Sequence, residues 1–286
     1  MALRIAYLGP AGTFTEDALA GAGAADNHEP LRTATVREAI LAVENGDADR
    51  ALVPIENSIE GSVRPTLDTL AFDAPGVAII GEYDHPVRVR LIARETIGLE
   101  AIGVVISHPQ PLAQCSRFLR GSLPQAEVRE VNSTAEAVRL VSESRAPWAA
   151  LGSQAGADKY GCCVLREGIE DEAGNVTRFV WIAKKAVEAP PGGERKTSLV
   201  FSELGDDHPG SLVAALREFS SRSVNLTRIE SRPRRRELGR YMFFVDLDGD
   251  IAEARVAESI EGLRSQAESV RLLGSYPVAG EPPSHS

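Results

Sequence analysis

Apolar positions along this chain follow two rhythms. Ile5–Leu8, Ala51–Ile55, Val104–Ile106 and Ala149–Leu151 are short, nearly continuous apolar runs bounded by turn residues, which predicts strands buried on both faces. Between them the spacing becomes helical. Val36, Ala39, Ile40 and Val43 share one helical face with Asn45-Gly46 as a stop, and Ala137, Leu140 and Val141 do the same after Ser133. Thr13-x-x-Glu16, Thr35-x-x-Glu38 and Ser133-x-x-Glu136 have the spacing in which a hydroxyl and a carboxylate together cap a helix start. A further helix carries Leu112 and Cys115. TVREAI followed by ALVPIENS resembles the later STAEAV followed by AALGSQ, so the pattern predicts an α/β unit of two similar lobes.

The run Phe179-Val180-Trp181-Ile182 is β-branched and aromatic behind a Gly-Asn turn, and reads as a buried strand returning from the second lobe. VEAPPGGERK then breaks the pattern with two prolines and two glycines, the composition of a linker. Beyond it the order becomes β-α-β-β-α-β. Strands are expected at Ser198–Ser202, Val224–Ile229, Tyr241–Leu247 and Val270–Leu273, with helices opening at Gly210 and carrying Ile251, Ala254, Ile260 and Leu263. That order is ferredoxin-like. The basic hairpin Pro233-Arg234-Arg235-Arg236 reads as a solvated turn, and AGEPPSHS reads as a disordered tail.

Charge and composition then narrow the function. The 286 residues suit two domains, and a formal net charge of −10 argues against nucleic acid as the main partner. No stretch is apolar enough to span a membrane, and MALRIAYLGPAG enters a strand directly without a signal segment, so a cytoplasmic protein is expected. The 3 cysteines, Cys115 and the neighbouring Cys162-Cys163, fit reduced thiols. The 5 histidines are far apart, so a metal site built on them is not expected.

Ligands of such sheets bind beyond the carboxyl ends of the parallel strands. Four loops fall there: Gly9-Pro10-Ala11-Gly12-Thr13, Glu56-Asn57-Ser58, Ser107-His108-Pro109-Gln110 and Gly152-Ser153-Gln154. Three lead toward helix starts, where backbone N–H groups favour anions, although the same residues suit plain turns. If the strand after Val176 runs antiparallel to the others, Thr177 and Arg178 meet those loops and project into the cleft.

GPAGTF (9–14), VPIENSIEG (53–61), SHPQPLAQC (107–115), NSTAEAV (132–138), GIED with NVTRFVWI (168–182) and IESRP (229–233), in this order, resemble the prephenate dehydratases over essentially the whole chain. The resemblance implies a two-lobed, periplasmic-binding-protein-like catalytic domain at 1–187, with lobe A about 1–80 plus 176–187 and lobe B about 81–175. It further implies a linker at 188–196, a ferredoxin-like ACT regulatory domain at 197–276 and a tail at 277–286. With no room before the first strand for chorismate mutase helices, a monofunctional enzyme is expected. The implied reaction converts prephenate to phenylpyruvate, carbon dioxide and water without a cofactor. By the same resemblance Thr177 assists the leaving hydroxyl, and Arg178 holds a carboxylate through paired hydrogen bonds. Thr13, Asn57, Ser58, Ser107, Gln110, Ser153 and Phe179 are the implied substrate-binding residues, with Phe179 packing beneath the pair. Glu56 either orients the others or caps its loop. Phenylalanine is the implied allosteric ligand, between ACT domains paired in a homodimer or homotetramer. Its pocket would comprise Gly210, Ser211 and Leu212, then Asn225, then Glu230, Ser231 and Arg232, with Ser211 standing where the family has Ala. Arogenate as substrate, a non-catalytic two-lobed binding protein and an amino-acid sensor remain open at this stage.

Overall fold

The structure, a computed structural model, describes residues 2–24, 28–204, 209–234 and 239–279. Its strands, in chain order, are β1 (Leu3–Leu8), β2 (His28–Thr33), β3 (Arg50–Asn57), β4 (Gly61–Ser62), β5 (Val77–Pro86), β6 (Arg90–Ala93), β7 (Val104–Ser107) and β8 (Glu127–Glu130). They continue with β9 (Trp148–Gly152), β10 (Cys163–Glu167), β11 (Val176–Lys184), β12 (Arg195–Ser202), β13 (Leu226–Pro233), β14 (Tyr241–Asp248) and β15 (Ser269–Pro277).

The first sheet has the order β2-β1-β3-β11-β5, with β4 paired to β3, and the second has β10-β6-β9-β7-β8. The two orders are equivalent. In each, three strands run parallel, and a strand arriving from the other lobe enters antiparallel beside the third: β11 against β3, and β6 against β9. The helices Val36–Asn45 and Thr134–Glu143 precede β3 and β9, so the repeated sequence pattern occupies equivalent places in the two sheets.

Two of the expected capping boxes form. Thr35 Oγ1 accepts from Glu38 N at 3.1 Å, and Ser133 Oγ accepts from Glu136 N at 3.1 Å. In both, the glutamate reaches back to the residue before the cap, Ala34 N and Asn132 N. Thr13 corrects the third expectation. Glu16 likewise accepts from Gly12 N, at 2.6 Å, but its other oxygen is held by the Tyr7 hydroxyl at 2.7 Å, and Thr13 Oγ1 caps nothing.

The third sheet, β13-β14-β12-β15, with helices Ser211–Ser220 and Ala254–Gln266, has the βαββαβ connectivity and strand order of a ferredoxin-like fold. β12 begins at Arg195, within the expected linker, and β15 runs to Pro277. Arg235 and Arg236 of the basic hairpin, and the tail from Gly280 onward, lie outside the described residues. One face of this sheet packs its helices around Phe201, Phe219 and Leu247. The other contributes Val200, Met242, Phe244, Leu273 and Tyr276 to a core shared with Val180 and Ile182 of β11 and with the helix Val36–Asn45. Gly274 lets β15 lie against β5, since a Cβ there would sit at 3.0 Å or less from Ile79 backbone atoms. No helix among the described residues is long and apolar enough to cross a membrane.

Candidate active site

β11 runs antiparallel to β3, as its position in the chain leads one to expect, and it brings Thr177 opposite Asn57 and Arg178 opposite Glu56. Asn57 is fixed on both sides. Its Oδ1 accepts from Ile59 N and Glu60 N at 2.9 and 3.0 Å, turning the loop after β3 back on itself. Its Nδ2 donates to Thr177 Oγ1 at 2.9 Å and to Asn175 Oδ1 at 2.8 Å. A hydroxyl that accepts a hydrogen bond from an amide still has its own proton to give. The arrangement therefore presents Thr177 as a donor with a defined lone-pair partner.

Arg178 goes elsewhere. Successive strand residues point to opposite faces, and the pairing of β11 with β5 is regular from Val176 to Trp181. Thr177 shares its face with Phe179, and Arg178 shares the other with Val180 and Ile182, the face covered by the third sheet. There its guanidinium lies 3.1 Å from Glu56, 3.4 Å from Asp84 and 3.8 Å from Glu82. Burial opposes the charge on Arg178, but these carboxylates outweigh burial and raise its pKa. The joint projection of Thr177 and Arg178 into one cleft is thus corrected, and Glu56 serves as an ion-pair partner.

The other expected residues divide. Ser58 Oγ accepts from Val176 N at 3.0 Å, and its own N–H donates to Val176 O, so it ties the loop to the start of β11. Ser107 is buried and donates to Leu151 O at 2.7 Å. Ser153 is buried, accepts from Gly156 N and donates across the lobes to Gly12 O at 3.0 Å. The lobes touch so closely here that a Cβ on Gly12 would sit 3.2 Å from Gly156 Cα. Beside it, the Asp17 carboxylate accepts from Gln154 N and Ala155 N at 3.2 and 2.6 Å. Gln110 is exposed on the helix Pro109–Gln114. Phe179 is 3% exposed among Ile5, Tyr7, Leu19 and Leu52, and so supports the site from beneath. Thr13 Oγ1 is buried with no hydrogen-bond partner.

Sequence reasoning missed three residues. Asn175 receives Asn57 and donates to Gln114 Oε1 at 3.4 Å, linking the lobes by amides. Both lie inside motifs already quoted, two positions before Thr177 and at the end of SHPQPLAQ. His85 is the β5 residue paired with Thr177, packs edge-on against Phe179 and has a buried Nδ1 without a partner. Burial, then the nearby Arg90 charge, pushes its pKa down to about 4, so the imidazole is neutral at pH 7.

In the third sheet, Gly210 adopts a φ of 94° immediately before the helix Ser211–Ser220, and Leu212 packs partly against the helical core. Asn225 donates to Asp248 Oδ2 at 2.9 Å. Glu230 is half-buried and Ser231 exposed, both on the edge strand β13. Arg232 is not gathered with them. It makes a forked pair with Asp68, at 2.8 Å at its shortest, and so faces the first lobe.

A family model described as prephenate dehydratase matches residues 5–187, and one described as an ACT domain matches residues 200–265. A prephenate dehydratase of Mycobacterium marinum is 40% identical over 292 residues, covering 98% of this chain and 91% of the relative. The crystal structure of the Arthrobacter aurescens prephenate dehydratase in complex with L-Phe superposes with a TM-score of 0.88 at 39% identity, over 99% of this chain and 92% of that one. GqqA, described as a quorum-quenching acylase, is also similar, with a TM-score of 0.86 at 28% identity over 97% of this chain and 98% of that one. By its sequence and by both of its matched regions, the chain belongs to the prephenate dehydratase family.

Proposed function

We propose that this protein converts prephenate to phenylpyruvate, with Thr177 as the donor to the departing hydroxyl. The ring carboxylate leaves as carbon dioxide, its bonding electrons enter the ring, and the carbon–oxygen bond on the opposite ring carbon breaks. The leaving oxygen takes up one proton and departs as water, and the ring becomes aromatic. A site for this chemistry needs a positioned hydrogen-bond donor and little else. The observation that carries the reading is the 2.9 Å bond from Asn57 Nδ2 to Thr177 Oγ1, which occupies a lone pair and directs the hydroxyl proton outward. A threonine is a weak acid, so its part is a hydrogen bond that strengthens as negative charge develops on the leaving oxygen.

Phenylalanine bound at the third sheet inhibits, and a second copy completes its pocket. The Arthrobacter aurescens relative was crystallised with L-Phe. In this chain β13 is an edge strand, and Val213, Ile229 and Tyr241 are 53%, 49% and 45% exposed in the same domain. An unpaired edge with apolar neighbours suits pairing with its own copy.

The test is turnover of prephenate by the purified chain, followed as phenylpyruvate, with and without phenylalanine. Turnover suppressed by phenylalanine is expected. Absence of turnover overturns the reaction, and turnover indifferent to phenylalanine overturns the regulatory half.

A further inference from the structure

The face of the first sheet opposite Thr177 carries a row of ion pairs that crosses into the third sheet. Arg178 lies 3.8 Å from Glu82, and Glu82 in turn takes both of its oxygens to Lys196 Nζ at 2.8 and 2.9 Å. The Glu82 and Lys196 side chains are only 2% and 6% exposed, and Lys196 stands on β12. Arg228 of β13 completes the group, 4.0 Å from Glu56 and 3.7 Å from Asp246. Three cations (Arg178, Lys196, Arg228) thus face four carboxylates (Glu56, Glu82, Asp84, Asp246), with partners drawn from both sides of the domain boundary.

Buried ion pairs are poor stabilisers, because desolvation offsets most of their attraction. The sheets already share an apolar core that includes Val180, Ile182, Met242 and Phe244. The position of the ion pairs suggests another use. The cross-strand pair Arg178–Glu56 is one register step from Thr177–Asn57 on the same two strands. Where the guanidinium settles between Glu56 and Glu82 therefore sets the backbone from which the Thr177 hydroxyl and its Asn57 partner project.

We propose that Lys196, a residue of the C-terminal domain, positions the Thr177 hydroxyl by holding Glu82 and so leaving Arg178 to Glu56. The proposal rests on the reaction proposed above. Without Lys196 two cations remain for four carboxylates, and the buried Glu82 keeps Arg178 as its nearest cation. Arg178 then turns toward Glu82, Glu56 keeps only its longer contact with Arg228, and the adjoining Asn57–Thr177 bond loses its geometry.

The experiment uses the full chain carrying Lys196→Met, with Lys196→Arg as the conservative partner and Lys196→Met/Glu82→Gln as the compensated double variant, in which no buried Glu82 charge is left to draw Arg178 from Glu56 and most of the loss should be recovered. For Lys196→Met we expect kcat to fall about tenfold or more with KM changed less than about twofold, since a small misplacement acts on the transition state. Lys196→Arg should restore most of the loss. Independently of any substrate, amide hydrogen exchange in the segment 174–179 should quicken about tenfold in Lys196→Met. Unchanged kcat or unchanged exchange in Lys196→Met, or a double variant as impaired as Lys196→Met, overturns the proposal. If the unaltered chain does not turn over prephenate, the proposed reaction fails, and the exchange measurement alone then decides whether Lys196 holds the segment. Should Lys196→Met fail to fold, Lys196→Gln, which removes the charge but keeps a polar group beside Glu82, carries the same two measurements.

Discussion

The two lobes share a strand order and differ in what they place at its equivalent points. In the first, the inserted strand β11 opens with Thr177 beside the Asn57 amide, and β3 ends in a loop tied to it. In the second, the inserted strand β6 opens with Arg90 and continues as Leu91, Ile92 and Ala93, each at most 1% exposed. β9 ends at Gly152, and Ser153 after it directs both of its bonds to backbone, one in the helix it caps and one in the opposite lobe. The same architecture therefore sets Thr177 against an amide donor, and Ser107 and Ser153 against backbone carbonyls. Of these two second-lobe hydroxyls, Ser107 bonds within its own lobe and Ser153 ties that lobe to the first. Equivalent topology fixes where a residue stands, and only its hydrogen-bond partners decide whether it is available to a substrate.

The strongest way to break this comparison is to remove the hydroxyl in the first lobe. Thr177→Ala should lose roughly 10²–10⁴ in turnover, the range for a positioned proton donor, with the fold intact by circular dichroism. That is about 3–5 kcal/mol of barrier. Ser107→Ala, at the end of a second-lobe strand, should cost less than about tenfold, because its hydroxyl is already donated to Leu151 O. Equal losses at the two positions would erase the distinction between the lobes.

A pH titration of stability sharpens the same contrast at the seam. His85 has its pKa pushed from 6.5 to about 4 in the folded chain, by burial first and by Arg90 second. Between those values the unfolded chain binds a proton that the folded chain does not, so stability rises with pH across this window. It is fully present above about 6.5 and is lost as pH falls toward 4, by up to about 3 kcal/mol. Denaturant unfolding of His85→Leu should show a flatter dependence between these pH values. An unchanged slope would mean that His85 is solvated and not part of the Thr177 face.

Much of the fold was open to reading from the residues. Ala51–Ile55 and Val104–Ile106 are central strands whose neighbours bury both faces, so their apolar runs carry the signal unaided. Edge strands do not. β8 is Glu127-Val128-Arg129-Glu130, exposed throughout, and it is a strand because β7 offers it a ladder rather than because of its own composition. The direction of Arg178 was within reach, since alternation separates it from Thr177 once both lie in one strand. Its destination was not. Glu82 and Asp84 lie far from Arg178 in the chain and reach it through the β5–β11 ladder, and Lys196 joins them only because the third sheet docks on that face. The availability of Ser107 and Ser153 was likewise unreadable, because each depends on a backbone partner that the sequence does not name, and so was the burial of Thr13 Oγ1 without a partner.

The smallest effect concerns Ser153, where two readings diverge. If Ser153 is a substrate donor, as its place in a strand-end loop suggests, Ser153→Ala lowers activity and leaves stability nearly alone. If it is a clasp, the order is reversed. Its hydroxyl accepts from Gly156 N, the cap of the helix Gln154–Tyr160, and donates to Gly12 O in the other lobe. Loss of a helix cap costs about 1 kcal/mol, and loss of a buried bond to a carbonyl adds a comparable amount at most. Ser153→Ala should therefore lose about 1–2 kcal/mol in denaturant unfolding. The Asp17 carboxylate still receives Gln154 N and Ala155 N, so the lobes stay in contact and turnover should fall less than about tenfold. A loss of turnover approaching that of Thr177→Ala, with stability unchanged, would place a second reactive hydroxyl in the cleft and make the two lobes chemical equals.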